Sequence, residues 1–304
     1  MRRILPIAVC IAGLLVGALP ADAQYLRYGK NKVHYAETDW SFIQSRHFTV
    51  YYYDDPVLAD FAARAAEEAF APMASLFRLQ PERRISMIIY PNHAEFAVTN
   101  AVDLPTFSDG IGGVTELFKN RIAVPFAGDY RDFRRVLHHE LVHAVINEVY
   151  YGGSIEGLIQ LGQRMRIPNW FNEGLAEYLA LGWDTQSDVY IREAVINDHL
   201  PDIDQLSGYF AYRGGQAVWD YVAEQYGQEK IAEILRRLRT ARSVDQAFQR
   251  SIGLSAEELS AQWKRALREI HFPEVTARES LDEIGQAVIT ERQGWYNASP
   301  ARAG

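Results

Sequence analysis

The chain has next to no cysteine. Cys10 is the single one among 304 residues, and it lies inside an apolar run close to the N-terminus. It comes too early, and without the small residue before it, to serve for lipid attachment. Disulfides are therefore excluded, as are a cysteine ligand and a cysteine nucleophile. Positive charge is scarce too: 31 Lys and Arg stand against 39 Asp and Glu, a net charge of −8. Without a basic face there is no case for nucleic acid as a partner. Beyond residue 19 no apolar run is long enough to span a bilayer, and there is neither an internal repeat nor a low-complexity tract. What is there is ordinary globular material, 48% hydrophobic and 23% charged. Its stability has to come from a packed core.

The N-terminus reads as an address. Arg2 and Arg3 precede apolar residues 4–19, and Ala21-Asp22-Ala23 forms an A-x-A exit before Gln24. This is the pattern of a secretory signal peptide, residues 1–23, removed on export. A retained anchor is the alternative, but the run is short and Pro6 and Pro20 bracket it. The expected location is the periplasm or the extracellular medium, with no stable membrane span after cleavage.

Residues 24–45 then form an N-terminal extension. Residues 46–272 form one domain, with a sheet and an active helix at 46–150 and a helical part at 151–272; residues 273–304 read as a tail or linker. The stretches "RHFTVYYY" at 46–53 and "RISMIIY" at 84–90 are rich in β-branched and aromatic residues and predict strands. Between them Pro56 opens an alanine-rich amphipathic helix that Pro72 is expected to bend. A short helix at 94–100 and a loop through 105–113 follow. "GVTELFKNRIAVPF" predicts a hairpin turning at Lys119-Asn120, and Pro125 at its end points to a sheet edge. From Tyr130 onward the pattern is helical, clearest at 130–149, 170–181, 214–226, 228–240 and 255–270. Strands first and helices second predict an α+β fold.

The segment "LHHELVHAV", residues 137–145, sets three histidines and a glutamate among apolar residues. On a helix, His139 and His143 lie one turn apart on the same face, where two imidazoles can hold one zinc ion. Glu140 is rotated by about 100° around the axis, so it cannot share that metal but can overhang a water bound there. This is the H-E-x-x-H arrangement of two ligands and a general base. His138 points elsewhere and reads as a structural or surface residue. The alternative for the whole segment is a pair of satisfied core histidines.

A catalytic zinc needs a third protein ligand. Downstream, "PNWFNEGLAEYL" at 168–179 opens a helix with Glu173 and Glu177 four residues apart, opposite an apolar face of Trp170, Leu175 and Leu179. A carboxylate pair in that setting is expensive unless positive charge compensates it. Zinc would do so.

"HELVH" followed by "WFNEGLAEYL" resembles the gluzincin metallopeptidases of the peptidase MA clan, the thermolysin-like and aminopeptidase-like enzymes. The resemblance implies Glu173 as the third zinc ligand and Glu177 as the acid that braces the first histidine from behind. It also implies a zincin-like fold: a small, mostly antiparallel N-terminal sheet with helices, a helical C-terminal subdomain, and a cleft between them. The two strand segments, the hairpin and "AYRGGQAVWDYVAEQYG" are similar to a bacterial peptidase-MA-like domain sometimes found ahead of TolB-like β-propellers, over about residues 45–270. This chain departs in placing 29 residues between His143 and Glu173. That insert, with "YYGGSIEGLIQLGQRMRI", reads as a short helix bordering the cleft. A G-x-M-E-N segment, with which aminopeptidases of the group hold a free amino terminus, is missing, so endopeptidase activity is the expectation.

Gluzincins often stabilise the oxyanion with a tyrosine or histidine beyond the third ligand. Tyr212 is the candidate, with Tyr209 and Arg213 as rivals and simple aromatic packing as the alternative. Substrate is expected to add as a strand at the hairpin edge, residues 121–126, through Arg121, Ala123 and Val124. Gly113 would let a backbone approach closely, or merely form the turn. The reading is an exported zinc peptidase acting on peptides or proteins. Against it stand a non-catalytic peptidase-like module binding a cell-envelope partner, and hydrolysis of a non-peptide amide or ester.

Overall fold

A computed structural model describes residues 37–81, 83–102, 104, 112–117, 119–151 and 165–277. The expected signal peptide, most of the N-terminal extension, the loop at 105–111, the insert at 152–164 and the tail from 278 lie outside the described residues.

The sheet starts before residue 46. Strand β1 (Ser41–Gln44) lies antiparallel to β2 (Phe48–Tyr52), with Phe42 opposite Tyr51. Asp55 then caps helix α1 (Pro56–Phe77) by accepting from the Val57 and Leu58 amides, and Pro56 sits in the first turn, where a missing N–H is harmless. The helix continues through Pro72 and buries Leu58, Ala62, Ala66, Phe70, Met73 and Phe77, positions three and four apart. It carries the chain back across the sheet, so β3 (Ile85–Tyr90) pairs parallel to β2. Helix α2 (His93–Ala97), capped by Asn92, follows. The hairpin of β4 (Val114–Glu116) and β5 (Arg121–Pro125) turns at Asn120, whose φ is 49°. Strand β5 enters parallel to β3, giving the order β1-β2-β3-β5-β4.

The sheet departs from expectation in two ways. The sheet is mixed, not mostly antiparallel, because crossovers rather than hairpins join β2 to β3 and β3 to β5. And β5 is an interior strand; the edge is β4. Pro125 is tolerated there because it is the last residue of the strand, and the Phe126 amide makes the bond to the Tyr90 carbonyl at 2.8 Å. Interior strands are covered on both faces. Met87, Ile89, Ile122 and Val124 face the main core, while Ile88, Tyr90 and Ala123 join a small second cluster with Phe96, Val102 and Leu104.

Asp129 caps α3 (Tyr130–Tyr151), accepting from the Arg131 and Asp132 amides at 2.8 Å. After Pro168 come α4 (Asn169–Leu181), α5 (Thr185–Ile196), a 3-10 turn (Ile203–Gln205), α6 (Tyr209–Tyr226), α7 (Glu229–Leu238), α8 (Val244–Ile252) and α9 (Ala256–Thr276). Helices α5 and α8 fall within the helical pattern expected from Tyr130 onward but outside its clearest pieces. Helix α6 begins at Tyr209 rather than at 214, because the glycine pair does not open it but packs it. A Cβ on Gly215 would collide with the Trp170 carbonyl oxygen and lie 2.8 Å from the Gly174 Cα, and one on Gly174 would lie 2.7 Å from the Gln216 nitrogen. Two glycines at one crossing thus let α4 and α6 touch backbone to backbone. The Trp219 indole N–H, donated to the Phe171 carbonyl at 3.0 Å, fastens the pair. Among the described residues no helix is long and apolar enough to cross a membrane.

Candidate active site

Helix α3 buries Leu137, Leu141, Val142, Ala144 and Val145. That anchorage turns His139 and His143 toward a cavity of about 750 Å³, whose other side receives Glu173 and Glu177 from α4. The Nε2 atoms of His139 and His143 are 3.1 Å apart, and Glu173 Oε2 lies 3.2 Å from the first and 3.4 Å from the second. These three residues form a group able to hold a metal ion. Ligand atoms about 2.0–2.1 Å from a tetrahedral zinc stand about 3.3–3.4 Å from one another. The three separations come within about 0.3 Å of those edges, and two imidazoles with one carboxylate are a donor set suited to zinc.

Behind the donors runs a chain of buried polar groups. His139 Nδ1 is 3.0 Å from Glu177 Oε1, and Arg213 Nη1 donates to Glu177 Oε2 at 2.9 Å. Arg213 also donates to the Ser187 hydroxyl at 3.0 Å and, through Nε, to the Tyr209 hydroxyl at 3.0 Å. Burial opposes the charged form of His139, but hydrogen bonds to Glu173 and Glu177 outweigh it and hold its pKa at about 10. Burial likewise opposes ionisation of Glu173, yet its bonds to the two histidines bring it down to about 2. The Glu177 carboxyl is lowered as well, burial being overcome by His139 and Arg213. Glu173 and Glu177 stay ionised around His139, and a bound metal ion would take the place of the proton that His139 shares with them.

Glu140 is buried on α3 beside His139. Thr115 Oγ1, on β4, lies 2.7 Å from Glu140 Oε2 and 2.8 Å from the Glu140 carbonyl, and its one proton serves one of them at a time. A Cβ on Gly113 would stand 2.9 Å from Glu140 Cγ and 3.0 Å from Val136. The glycine therefore lets the edge strand lie directly over the helix. The Asn120 side chain, donating to the Ala144 carbonyl at 3.0 Å, pins the other end of the hairpin.

Tyr212 comes into the site. Its ring stacks on His139 with centroids 6.2 Å apart and planes at 21°, and burial, Glu173 and Glu140 push its hydroxyl up to about 12. Its rivals Tyr209 and Arg213 line the same cavity, bonded to each other. Gly113 lines it too. Arg121, Ala123 and Val124 do not. Ala123 and Val124 are fully buried within the sheet, and Arg121 holds Glu116 at 2.6 Å and the Ala101 carbonyl. The strand facing the cavity is β4, through Val114 and Thr115. His138 is half-buried and does not line the cavity. Sequence reasoning missed Thr115, which has no local signal. It also missed Arg213 as the partner of Glu177, for which a signal existed: an arginine among Ala211, Gly214, Ala217 and Val218 on a buried helix face needs an acid.

A comparison with curated proteins finds no match. A family profile described as the Peptidase MA superfamily matches residues 65–269. The match extends from α1 into α9, takes in both histidines, Glu140, Glu173 and Tyr212, and spans more than half of the sequence. On the strength of that span, and of a donor geometry that agrees with it, the chain belongs to the Peptidase MA superfamily.

Proposed function

We propose that the protein is an exported, zinc-dependent endopeptidase. The observation that carries this is the convergence of His139, His143 and Glu173 at coordination-polyhedron spacing, with buried Glu140 on the next position of the same helix. His139, His143 and Glu173 would hold a zinc ion, which would supply Lewis acidity toward a water and the scissile carbonyl. Glu140 then acts as general base, taking the proton of the attacking water on its carboxylate and delivering it to the leaving amine. Thr115 holds one carboxylate oxygen and leaves the other for the water. Tyr212, whose pKa of about 12 keeps it a donor at neutral pH, offers its O–H to the developing oxyanion. Glu177, backed by Arg213, keeps the His139 ring in the orientation and tautomer that present Nε2 to the metal.

The edge strand β4 replaces the interior β5 as the place where an extended peptide would add, since only an edge has free main-chain donors and acceptors. Export follows from the N-terminal segment, and a cell-envelope setting with protein or peptide substrates accords with it. The test is metal analysis of the purified protein, with hydrolysis of a quenched peptide library measured with and without a chelator. Glu140→Gln should keep the metal and lose about 10²- to 10⁴-fold in rate. Hydrolysis indifferent to both chelator and Glu140→Gln sinks the mechanism. Bound zinc with no turnover of any peptide would instead make the protein a peptidase-like binding module.

A further inference from the structure

Four residues of α3 follow one another at intervals of four, Arg135, His139, His143 and Asn147, and all four line the cavity. Such a row is a single stripe on the helix surface. The metal donors occupy its middle. Arg135 lies about 6 Å along the axis on one side of them and Asn147 about as far on the other. The neighbouring Arg134 is committed to the Glu68 carboxylate at 2.9 Å. Arg135, by contrast, is exposed and makes no hydrogen bond or ion pair with a described residue, its charge acting on Glu177 only from beyond ion-pair distance.

The charge balance of the cavity singles it out. Arg213 is buried against Glu177 at 2.9 Å. A divalent ion on His139, His143 and Glu173 is offset by Glu173 and Glu140. Arg135, which does not deprotonate, is then the positive charge left over among the described lining residues. The other side chains of the wall, Asn147, Asn172, Gln186, Leu117 and Leu181 among them, are neutral.

We propose that Arg135 is a specificity residue that receives a carboxylate of the substrate, so that the cleft selects anionic peptides. This rests on the peptide-hydrolysing reading of the cleft. An extended chain advances about 3.3 Å per residue, so a side chain rooted about 6 Å along the helix from His139 meets a group within a few residues of the reacting carbonyl. A guanidinium and a carboxylate fit each other in a two-pronged bond. The carboxylate comes either from an Asp or Glu side chain or from the peptide's own C-terminus.

The test uses one quenched peptide with Glu, Gln or Lys placed in turn at each position around the scissile bond, each made as C-terminal acid and as amide. Wild type should cleave the Glu peptide about tenfold faster than the Gln peptide at one position, or the acid about tenfold faster than the amide. The first outcome names a side chain as the source, the second the terminus. Arg135→Gln should level the preference and Arg135→Glu should reverse it toward Lys or the amide. In parallel, fluorescence anisotropy of the same peptides on Glu140→Gln protein, with and without Arg135→Glu, reads recognition without turnover. A preference that survives Arg135→Glu, or an equal loss on every peptide, overturns the proposal and leaves the peptidase reading intact. If wild type cleaves nothing, the hydrolase reading falls and the anisotropy decides. Weaker binding of the anionic peptide after Arg135→Glu then upholds recognition, and unchanged binding ends it.

Discussion

Helices α4 and α6 carry two sets of partly buried acids that behave in opposite ways. At the cavity, Glu173 is drawn down to about 2 and Glu177 below its ordinary value. Further along the same helices, burial and then the neighbouring Glu224 push Asp220 up to about 6. Burial and those two acids also raise the Tyr178 hydroxyl. Burial works in the same direction on all the carboxyls. What differs is the company: His139, His143 and Arg213 face the first set, whereas no cation is among the influences on Asp220. An acid that is merely buried drifts toward its neutral form. A buried acid held ionised marks a place built around positive charge, here that of His139, His143 and Arg213.

The most damaging change removes the frame both sets share. Gly215→Ala puts a methyl into the Trp170 carbonyl and 2.8 Å from the Gly174 Cα, with backbone on each side and no flexible side chain to give way. Overpacking against rigid atoms should cost more than about 3 kcal/mol. Thermal or denaturant melting reads it, and metal retention should fall in step. A variant melting within about 1 kcal/mol of wild type would mean that the helices do not meet at these glycines.

Arg213→Met moves the first set toward the second. Glu177 keeps its burial and its bond to His139 but loses its closest cation, and breaking a buried pair by removing one partner costs about 3–5 kcal/mol. The effect should reach the metal, since Glu177 orients His139 at 3.0 Å. Zinc affinity, measured by competition with a chromophoric chelator, should drop about ten- to a hundredfold. Arg213→Lys restores the charge without the fork and should recover part of the loss. Unchanged zinc affinity in Arg213→Met would uncouple the arginine from the donors.

Glu140 is buried and is held by a hydroxyl and not by an arginine. Thr115→Val keeps the shape and removes the donor. A hydrogen bond to a charged group is worth about 1.5–3 kcal/mol, so kcat should fall at least about tenfold while zinc affinity stays put. Equal kcat in the variant would show that packing alone aims the carboxylate.

How much of this was legible beforehand follows from the range of each interaction. The pairs His139/His143 and Glu173/Glu177 are four apart on helices, so their faces are set by local geometry, and the α+β character follows from the order of strands and helices. Tyr212 was found through resemblance and is placed against His139. The parallel pairing of β2 with β3 and the interior place of β5 were not legible, because both are decided by where a crossover lands. Pro125 was read by its local cost, yet its neighbour's amide makes the bond. The start of α6 was misplaced for the same reason: Gly214 and Gly215 look like a helix opening until Gly174 is seen beneath them.

The smallest change sharpens the comparison from its other side. Asp220 ionises near pH 6 in the folded protein against about 3.8 when unfolded. The folded state therefore holds this proton more tightly, and the contribution of Asp220 to stability is fully present below the unfolded value. It is lost as pH rises through the folded one. Asp220→Asn is neutral throughout and does not suffer that loss. The two proteins should melt alike near pH 4, and the variant should melt higher above pH 6, with the gap opening between those limits. Glu224→Gln should give a weaker version of the same curve, because burial is the larger influence on Asp220 and Glu224 the lesser. A gap that is flat with pH would mean that an unidentified cation already compensates Asp220, and the contrast between the two sets would dissolve.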